Sequence, residues 1–400
     1  MLLKSQIEEV IALQNEENHF KEIEVTREQL SQVPQLLEFA IIITGIRRCG
    51  KSTLMNQIRQ SFEENATLYL NFDDINLTNF EADDFTRLHR IIAERSPKVI
   101  FFDEPQLVDG WEIFVHQLLR ENYYVYLSGS NASMLSMELG THLTGRHIST
   151  ELFPFSYNEY LSLKQKEKSV ESFTDYLKEG GMPEYIKTYE RKILQSLLDD
   201  ILIRDIAIRK GIKNVEQLKS LALYMLTNIA RPFTANRLSS IIDSTTATII
   251  DYIDYMRNAY LIDTIGIYSS SMRATMRNPK KVYAIDNGIV SATTFSQSKD
   301  WGRLLENYQF VCLRKKHKSH IFYFKNNEGE CDFVVTDDNN HPTDLYQVCW
   351  HLDDDNFKRE TGGLIAAMKA TKLNEGYIVT LNDEDELHYH EGTIHVVRAF

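Results

Sequence analysis

Cysteines are few in this sequence and lie far apart. The four of them, Cys49, Cys312, Cys331 and Cys349, form no Cys-x-x-Cys pair. This spacing provides no zinc-binding motif, and scattered single cysteines suit a reducing cytosol. We therefore expect a cytoplasmic protein.

No apolar run in the chain approaches the length that a membrane-spanning helix needs. The first nine residues, Met1 to Glu9, carry acidic side chains where a signal peptide would carry basic ones. Internal repeats and low-complexity linkers are also missing from the sequence. These features argue against a membrane partner and against a repeat protein.

Basic residues are not in excess, because 57 aspartates and glutamates outnumber 44 lysines and arginines and leave a formal net charge of −13. This balance argues against a protein coated in nucleic acid, although it is compatible with a local basic patch. The 43% hydrophobic and 25% charged content is that of an ordinary globular protein. At 400 residues the chain exceeds one average core, so we expect two or three domains.

The strongest functional signal is a phosphate-loop pattern, G-x-x-x-x-G-K-[S/T], which follows a β-type apolar run and precedes a helical pattern. The apolar run begins at Phe39, and the residues that define the pattern are Gly45, Gly50, Lys51 and Ser52. The glycines allow backbone N–H groups to face a phosphate, and the helix N-terminus adds positive potential. Lys51 would reach the β- and γ-phosphates, and Ser52 would hold Mg²⁺.

Further apolar runs alternate with helical patterns after this loop, at residues 66–72, 98–102, 123–127 and 148–152. Their continuous hydrophobicity is typical of strands buried on both faces of a parallel sheet, and the helices between them would form βαβ crossovers. Ligands of such sheets bind at the carboxyl ends of the strands. The residues that end each strand are therefore the candidates for a site.

Two of these runs end in residues suited to ATP hydrolysis. The second run is followed by Asp103, which would hold Mg²⁺, and by Glu104, which would orient and deprotonate the attacking water. The phosphate loop upstream favours this role over a plain polar turn. The third run leads to Ser130 and Asn131, whose hydroxyl and amide suit the γ-phosphate or the water. Such a polar cluster is also an ordinary helix cap, so both interpretations stay open.

The order of these segments resembles that of the predicted AAA+ superfamily ATPases of bacteria and archaea that carry a C-terminal domain of unknown function. The segments that carry the resemblance are residues 45–53, 71–74, 101–104, 128–131, 143–146 and 152–156. The resemblance covers nearly the whole chain. It implies an ATPase core with an additional strand, and ATP and Mg²⁺ as its cofactors.

The resemblance also implies a role for Arg146 as arginine finger, a guanidinium that stabilises transition-state charge, often on the nucleotide of a neighbouring subunit. A homo-oligomer is then expected, and an ion pair with a carboxylate is the alternative role. Arg47 and Arg48 are typical of the phosphate loops of this family. One of them would face the nucleotide or a partner subunit, and exposure to solvent is the alternative. The implied cofactor-binding residues are Gly45, Arg48, Gly50, Lys51, Ser52, Thr53 and Ser130; the catalytic residues are Lys51, Glu104, Asn131 and Arg146; the metal ligands are Ser52 and Asp103.

The middle of the chain has helical patterns. In the family, residues 156–200 form a helical lid, in which Gly180-Gly181 is either a hinge or a plain turn. Three helical patterns and a strand within 217–268 have the order of a winged helix-turn-helix. The segment 273–281 holds four basic residues and no acidic ones, at the position of a wing. DNA contact through this segment is one hypothesis, and a protein-binding module with the same fold is the other.

The C-terminal third resembles the restriction-endonuclease-like fold. That fold needs a glutamate on a helix, an aspartate on a strand, and an acid-x-lysine pair on the next strand, which gather Mg²⁺ and activate water. Glu306 and Asp332 match the first two positions, but Gln347 and Cys349 replace the acid and the lysine. Because an amide is a weaker Mg²⁺ ligand and a thiol lacks the ammonium charge, we expect an inactive or altered nuclease fold that keeps a binding role.

The sequence thus predicts an α/β protein, in which a P-loop NTPase parallel sheet with a helical lid precedes an α-rich winged helix and an α/β nuclease-like domain. The predicted division is 1–38 (helical lead-in), 39–155 (ATPase core), 156–200 (lid), 201–281 (winged helix) and 282–400 (nuclease-like domain). The leading functional prediction is Mg²⁺-dependent ATP hydrolysis that drives a conformational cycle coupled to a DNA- or protein-binding C-terminal module. The alternatives are a nucleotide-gated regulatory protein with little turnover and, ranked lower, a Mg²⁺-dependent DNA nuclease.

Overall fold

The computed structural model describes residues 1–19, 23–130, 145–269, 278–294 and 300–400. The chain forms two compact units. Residues 1–165 together with 258–260 form the first, and residues 166–257 together with 261–400 form the second. No described helix is long and apolar enough to cross a membrane.

A five-stranded sheet forms the centre of the first unit. Its strands are β1 (Ala40–Thr44), β2 (Thr67–Asn71), β3 (Val99–Asp103), β4 (Tyr124–Gly129) and β5 (His147–Glu151). All neighbouring strands run parallel, in the order β2-β3-β4-β1-β5. This confirms the predicted parallel sheet of a P-loop NTPase. The strand β4 lies between β1, which leads into the phosphate loop, and β3, which ends in the acidic pair.

Helices cover this sheet and enclose its apolar core. Those described in the first unit are α1 (Lys4–His19), α2 (Lys51–Arg59), α3 (Asp84–Arg95), α4 (Trp111–Arg120) and α5 (Tyr157–Lys164). Helix α3 buries Phe85, Leu88 and Ile92 at helical spacing. The ring of Phe85 stacks on that of Phe114 in α4, with centroids 4.8 Å apart. This packing fixes the strands, so the residues that follow β1, β3 and β4 are held at one edge of the sheet.

The second unit begins with a helical region and a small antiparallel sheet. The helices are α6 (Val170–Glu179), α7 (Pro183–Thr188), α8 (Arg191–Asp200), a π-helix (Ile201–Ile208), α9 (Val215–Thr227), α10 (Ala235–Ile242) and α11 (Thr246–Asn258). The strands β6 (Pro232–Phe233), β7 (Ile262–Ile265) and β8 (Lys280–Ala284) pair in the order β6-β8-β7. The segment predicted as a lid is divided, because α5 belongs to the first unit and α6 to α8 belong to the second. The winged helix stays a prediction.

A six-stranded mixed sheet forms the rest of the second unit. The elements are α12 (Asn287–Thr293), α13 (Trp301–His317), β9 (Ile321–Lys325), β10 (Glu330–Thr336), β11 (Pro342–Val348), α14 (Phe357–Thr371), β12 (Glu375–Thr380), β13 (Asp385–Tyr389) and β14 (Gly392–Arg398). The strand order is β13-β14-β12-β11-β10-β9, with β11, β12 and β14 parallel and the other pairs antiparallel. The sequence patterns located β9 to β12 and missed β13 and β14. The nuclease-like assignment stays a prediction.

Candidate nucleotide-binding site

The loop between β1 and α2 has a conformation that requires its two pattern glycines. Gly45 and Gly50 have φ angles of +146° and +101°, which side chains rarely tolerate. A Cβ atom on Gly45 would lie 2.2 Å from the carbonyl oxygen of Leu152, and one on Gly50 would lie 2.8 Å from Nη1 of Arg27. The glycines are therefore needed both for the curvature of the loop and for the close approach of its neighbours.

Lys51 is the first residue of α2, and its side chain folds back into the loop. The buried Nζ donates hydrogen bonds of 3.1 Å to the carbonyl oxygens of Gly45 and Ile46. Ser52 and Thr53 lie exposed in the first turn of the same helix. The loop thus combines a buried ammonium group, a helix N-terminus and an accessible hydroxyl, which are the groups that bind a phosphate and a hard cation.

Arg48 lies in the same loop and is exposed, with a φ angle of +63°. Its neighbour Arg47 is half-buried. Cys49 is fully buried, and burial raises the pKa of its thiol. Its Sγ atom lies 3.5 Å from the carbonyl oxygen of Leu152, to which it donates. The thiol therefore serves as a neutral packing group beneath the loop.

Two carboxylates lie at the same edge of the sheet as the loop. Asp103 at the end of β3 is buried and accepts hydrogen bonds from the hydroxyls of Tyr69, at 2.8 Å, and Ser128. Ser128 pairs with Asp103 on one side and with Ile43 of β1 on the other. Asp103 therefore lies two strands from the loop strand, about 10 Å across the sheet.

Glu104, the second carboxylate, is half-buried and adopts a left-handed backbone conformation with φ of +52°. Its side chain accepts a hydrogen bond from the amide of Gln106. Its backbone N–H donates to the carbonyl oxygen of Ser128 at 3.2 Å. The chain thus turns sharply directly after Asp103.

Ser130 follows β4 beside the start of the loop, because Gly129 pairs with Thr44. The hydroxyl of Ser130 is buried and has no hydrogen-bond partner among the described residues. A buried hydroxyl without a partner is costly, and a phosphate oxygen or its water would satisfy it. The unpartnered hydroxyl of Ser130 is therefore compatible with a nucleotide phosphate bound at this edge of the sheet. Asn131, predicted beside it, lies outside the described residues.

Arg146 is not brought to the loop of its own chain. It is exposed, and it precedes His147, which pairs with Ala40 at the amino-terminal end of β1. The loop begins at the other end, where Thr44 pairs with Glu151. Four residues of extended strand separate these ends by about 13 Å. The register therefore separates Arg146 from the phosphate loop of its own chain.

Arg27 was not predicted, although it contacts the loop directly. Its guanidinium is buried and donates to Oε1 of Glu159 at 2.9 Å, to the carbonyl oxygen of Cys49 at 2.7 Å and to that of Phe153 at 2.7 Å. It also lies 4.9 Å from the ring centroid of Phe155. No local pattern distinguishes Arg27, because its contacts come from residues 22 to 132 positions away.

Glu159, its carboxylate partner, has a signal in the sequence. It is the last residue of a capping box, in which the Ser156 hydroxyl accepts from the Glu159 N–H and the Glu159 carboxylate accepts from the Ser156 N–H. The carboxylate also accepts from the N–H of Glu28 at 2.8 Å. The start of α5 is thereby tied to the segment around Arg27 and, through Arg27, to the phosphate loop.

The predicted nuclease positions come together in the second unit. Glu306, Asp332, Gln347 and Cys349 line one cavity of about 770 Å³. Burial and the nearby Asp332 raise the pKa of Glu306 to about 8, and burial raises the pKa of the Cys349 thiol to about 12. Cys349 is therefore uncharged near neutral pH and cannot replace a lysine. Among the described residues, no three side chains of histidine, cysteine, aspartate or glutamate are arranged to hold a metal ion.

A lysine from a part of the chain predicted to contact DNA pairs with two of the acids that line this cavity. Lys281 in β8 is buried, and its Nζ pairs with Glu306 and Asp332. It therefore cannot contribute its charge to a DNA surface, which corrects one part of the prediction for 273–281. Lys280 is exposed, and residues 273–277 lie outside the described part of the chain.

A family described as an AAA domain matches residues 38–161. The chain is also 30% identical over 369 residues to Uncharacterized protein MJ1544 of Methanocaldococcus jannaschii, an alignment that covers 86% of this chain and 82% of that protein. The chain belongs to this AAA-domain family. The assignment agrees with the sheet and the loop, and it makes this an AAA-type P-loop protein with a nucleotide-binding ATPase domain.

Other comparisons match further parts of the chain. A protein of Haemophilus influenzae named Uncharacterized protein is 30% identical over 319 residues, which cover 74% of this chain and 80% of that one. A family described as Domain of unknown function (DUF8612) matches residues 170–300. A solved structure, the S. cerevisiae Hsp104:casein complex in its extended conformation, contains a chain that is 14% identical to this one. The match covers 54% of this chain and 50% of the Hsp104-complex chain, with a TM-score of 0.28.

Proposed function

We propose that the AAA domain of this chain binds ATP with Mg²⁺ and hydrolyses it, and that the second unit responds to the nucleotide state. The observation that supports this is the meeting of two groups at one edge of the sheet. The Gly45–Ser52 loop with the buried Lys51 ammonium follows β1, and the carboxylates of Asp103 and Glu104 follow β3. Phosphoryl transfer needs both groups, one to hold the phosphates and one to position the metal and the water.

Each group has a distinct role in this proposal. The loop N–H groups and Lys51 hold the β- and γ-phosphates. The hydroxyl of Ser52 and the carboxylate of Asp103 would hold Mg²⁺, which when bound neutralises phosphate charge. Glu104 accepts a proton from the attacking water. Ser130 donates its otherwise unpartnered buried hydroxyl to a phosphate oxygen or to the water.

Two variants test the ATPase proposal by steady-state release of inorganic phosphate. Lys51→Ala should abolish both ATP binding and turnover, because it removes the ammonium group inside the loop. Glu104→Gln should bind ATP with near-parental affinity and lose turnover by about 10²-fold or more, because only the proton acceptor is lost. Turnover at the parental rate in both variants would refute the assignment.

The same assay distinguishes an ATPase from a nucleotide-gated binding protein. It should be run on the full chain alone, with duplex DNA, and with the oligomeric state recorded by native mass measurement. We expect turnover that Glu104→Gln abolishes. ATP binding with no turnover under any of these conditions would favour the regulatory alternative. A DNA-dependent change in turnover would favour DNA over protein as the partner of the second unit.

A further inference from the structure

A buried lysine lies at the centre of a group of acids in the second unit. Nζ of Lys281 is 2.8 Å from Oδ1 of Asp332, 2.9 Å from Oε1 of Glu330 and 3.3 Å from Oε1 of Glu306. Its side chain is only 3% exposed. The acids come from β10 and α13, whereas the lysine comes from β8 in the small antiparallel sheet. We call these four residues the Lys281 cluster.

The arrangement resembles a cation site in which the cation is part of the chain. An ammonium group has three N–H donors, and each of the three carboxylates lies within ion-pair distance of it. Oxygen ligands surround a divalent cation in a similar way, at shorter distances of about 2.0 to 2.6 Å. Because two positive charges would repel each other strongly at this separation in a buried site, a divalent cation and the ammonium cannot share the position.

Other protein donors also bond the carboxylates of the cluster, at a second oxygen in Asp332 and at the oxygen that faces the lysine in Glu306. Oδ2 of Asp332 accepts from the N–H of Val348 at 3.1 Å, and Oε1 of Glu306 accepts from the hydroxyl of Tyr283 at 2.8 Å. Gln347, at the position of the missing acid, accepts from the N–H of Asp332 and donates to Glu360 at 2.6 Å. The oxygens of the cluster therefore receive their hydrogen bonds from groups of the chain itself.

We propose that the ammonium of Lys281 takes the place of a divalent cation, so that the native chain holds no Mg²⁺ in this cavity and hydrolyses no phosphodiester there. The cluster then joins β8 to β10 and α13 as a metal-independent core. Removing the ammonium would leave Glu306 and Asp332 without this counter-ion, while Glu330 keeps Lys325 at 2.9 Å. The three acids, which are not arranged to hold a metal ion while Lys281 lies between them, could then close around a divalent cation. This proposal does not depend on ATP hydrolysis by the first unit.

The test compares Mn²⁺ binding by full-length variants without nucleotide, measured by titration with electron paramagnetic resonance. Lys281→Met keeps the length of the side chain and removes its charge. Lys280→Met is the matched control, because Lys280 is the exposed neighbour in the same strand. We expect Lys281→Met to bind one Mn²⁺ per chain more than the parent and the control, and to lose it when Asp332→Asn is added.

A thermal unfolding series makes the test independent of how well Lys281→Met folds. The unfolding temperature of Lys281→Met should rise with Mn²⁺, whereas that of the parent should not. In the parent background, Asp332→Asn should leave the number of bound Mn²⁺ ions unchanged. The proposal is overturned if Asp332→Asn removes a bound Mn²⁺ from the parent, if it abolishes plasmid nicking by the parent, or if a folded Lys281→Met gains no ion.

Discussion

Among single residues, Arg27 joins three segments that lie far apart in the sequence. Its guanidinium contacts the phosphate loop at Cys49, the chain after β5 at Phe153, and helix α5 at Glu159. A planar guanidinium can serve three acceptors in different directions, whereas an ammonium group cannot reach the same three positions. Arg27 is therefore a positioning residue for the loop, because it holds the carbonyl directly before Gly50.

We predict that Arg27→Lys loses about 2–4 kcal/mol of unfolding free energy and binds ATP about tenfold more weakly. An ammonium group cannot reach all three acceptors of the guanidinium, so buried carbonyl oxygens lose their hydrogen-bond partners and the phosphate loop is held less firmly. Urea unfolding and ATP titration measure the two effects. The control is Arg59→Lys, because Arg59 is a half-buried residue of α2 that donates to Thr67 away from the loop. Equal losses of ATP affinity in both variants would contradict the positioning role.

Single residues also show where a charge pattern misleads. Lys281 belongs to a basic segment whose sequence suggests a surface for DNA, yet it is 2% exposed and paired with acids. Its acidic partners lie 25 to 51 positions further along the chain. A local count of charges cannot distinguish a solvated lysine from one that neutralises a buried acid, because the partner is defined only by the fold.

Among the elements, the turn between α6 and α7 packs unusually closely on the start of α12. Asp286 precedes α12 and is buried, and it accepts from the N–H of Ile289 at 3.1 Å and of Gly181 at 2.6 Å. A Cβ atom on Gly180 would lie 2.4 Å from Oδ1 of Asp286. Gly180 is thus needed for close packing, and a fixed turn explains it better than a hinge.

This contact makes a prediction about pH. Burial raises the pKa of Asp286 from its ordinary value of 3.8 to about 6. The folded chain therefore holds this proton more tightly than the unfolded chain does, and the resulting stability is fully present below about pH 4 and is lost as pH rises to about 6. The loss is roughly 3 kcal/mol. Urea unfolding at pH 4, 5, 6 and 7 should show this loss in the parent relative to Asp286→Asn, and parallel curves would contradict it.

The elements themselves were predictable where burial is continuous. The strands β1 and β3 have every residue buried, so their apolar runs stand out from the sequence. The strand β13 has no buried residue, and its sequence, Asp-Glu-Leu-His-Tyr, contains acids. A half-solvated edge strand of this kind is stabilised by its pairing with β14 rather than by an apolar pattern of its own, which is why the sequence did not indicate it.

At the scale of the whole molecule, the position of Arg146 decides whether it could act within a single chain. The strand register places it at the opposite end of β1 from the phosphate loop of its own chain. An arginine that acts on ATP from there must act on a neighbouring chain. The two compact units of the chain would then be repeated around an oligomer whose sites form between copies.

We predict that mixing two inactive variants restores ATP turnover. Arg146→Ala chains keep their own loop and Glu104, and Glu104→Gln chains supply an intact Arg146 to their neighbours. Each variant alone should turn over ATP at least about tenfold more slowly than the parent. Mixed oligomers, verified by native mass measurement, should recover a measurable fraction of parental phosphate release. No recovery in verified mixed oligomers would show that Arg146 does not act between chains.

The sequence by itself determined the phosphate loop, the acidic pair Asp103-Glu104 and the parallel sheet that carries them. These features are local, because glycine spacing, a helix start and an apolar run are properties of neighbouring residues. Only the tertiary structure decided that Arg27 holds the loop, that Arg146 lies at the opposite end of β1 from it and that Lys281 pairs with Glu306 and Asp332. Such pairings join residues far apart in the chain, and they form only when packing brings a buried charge to its counter-charge.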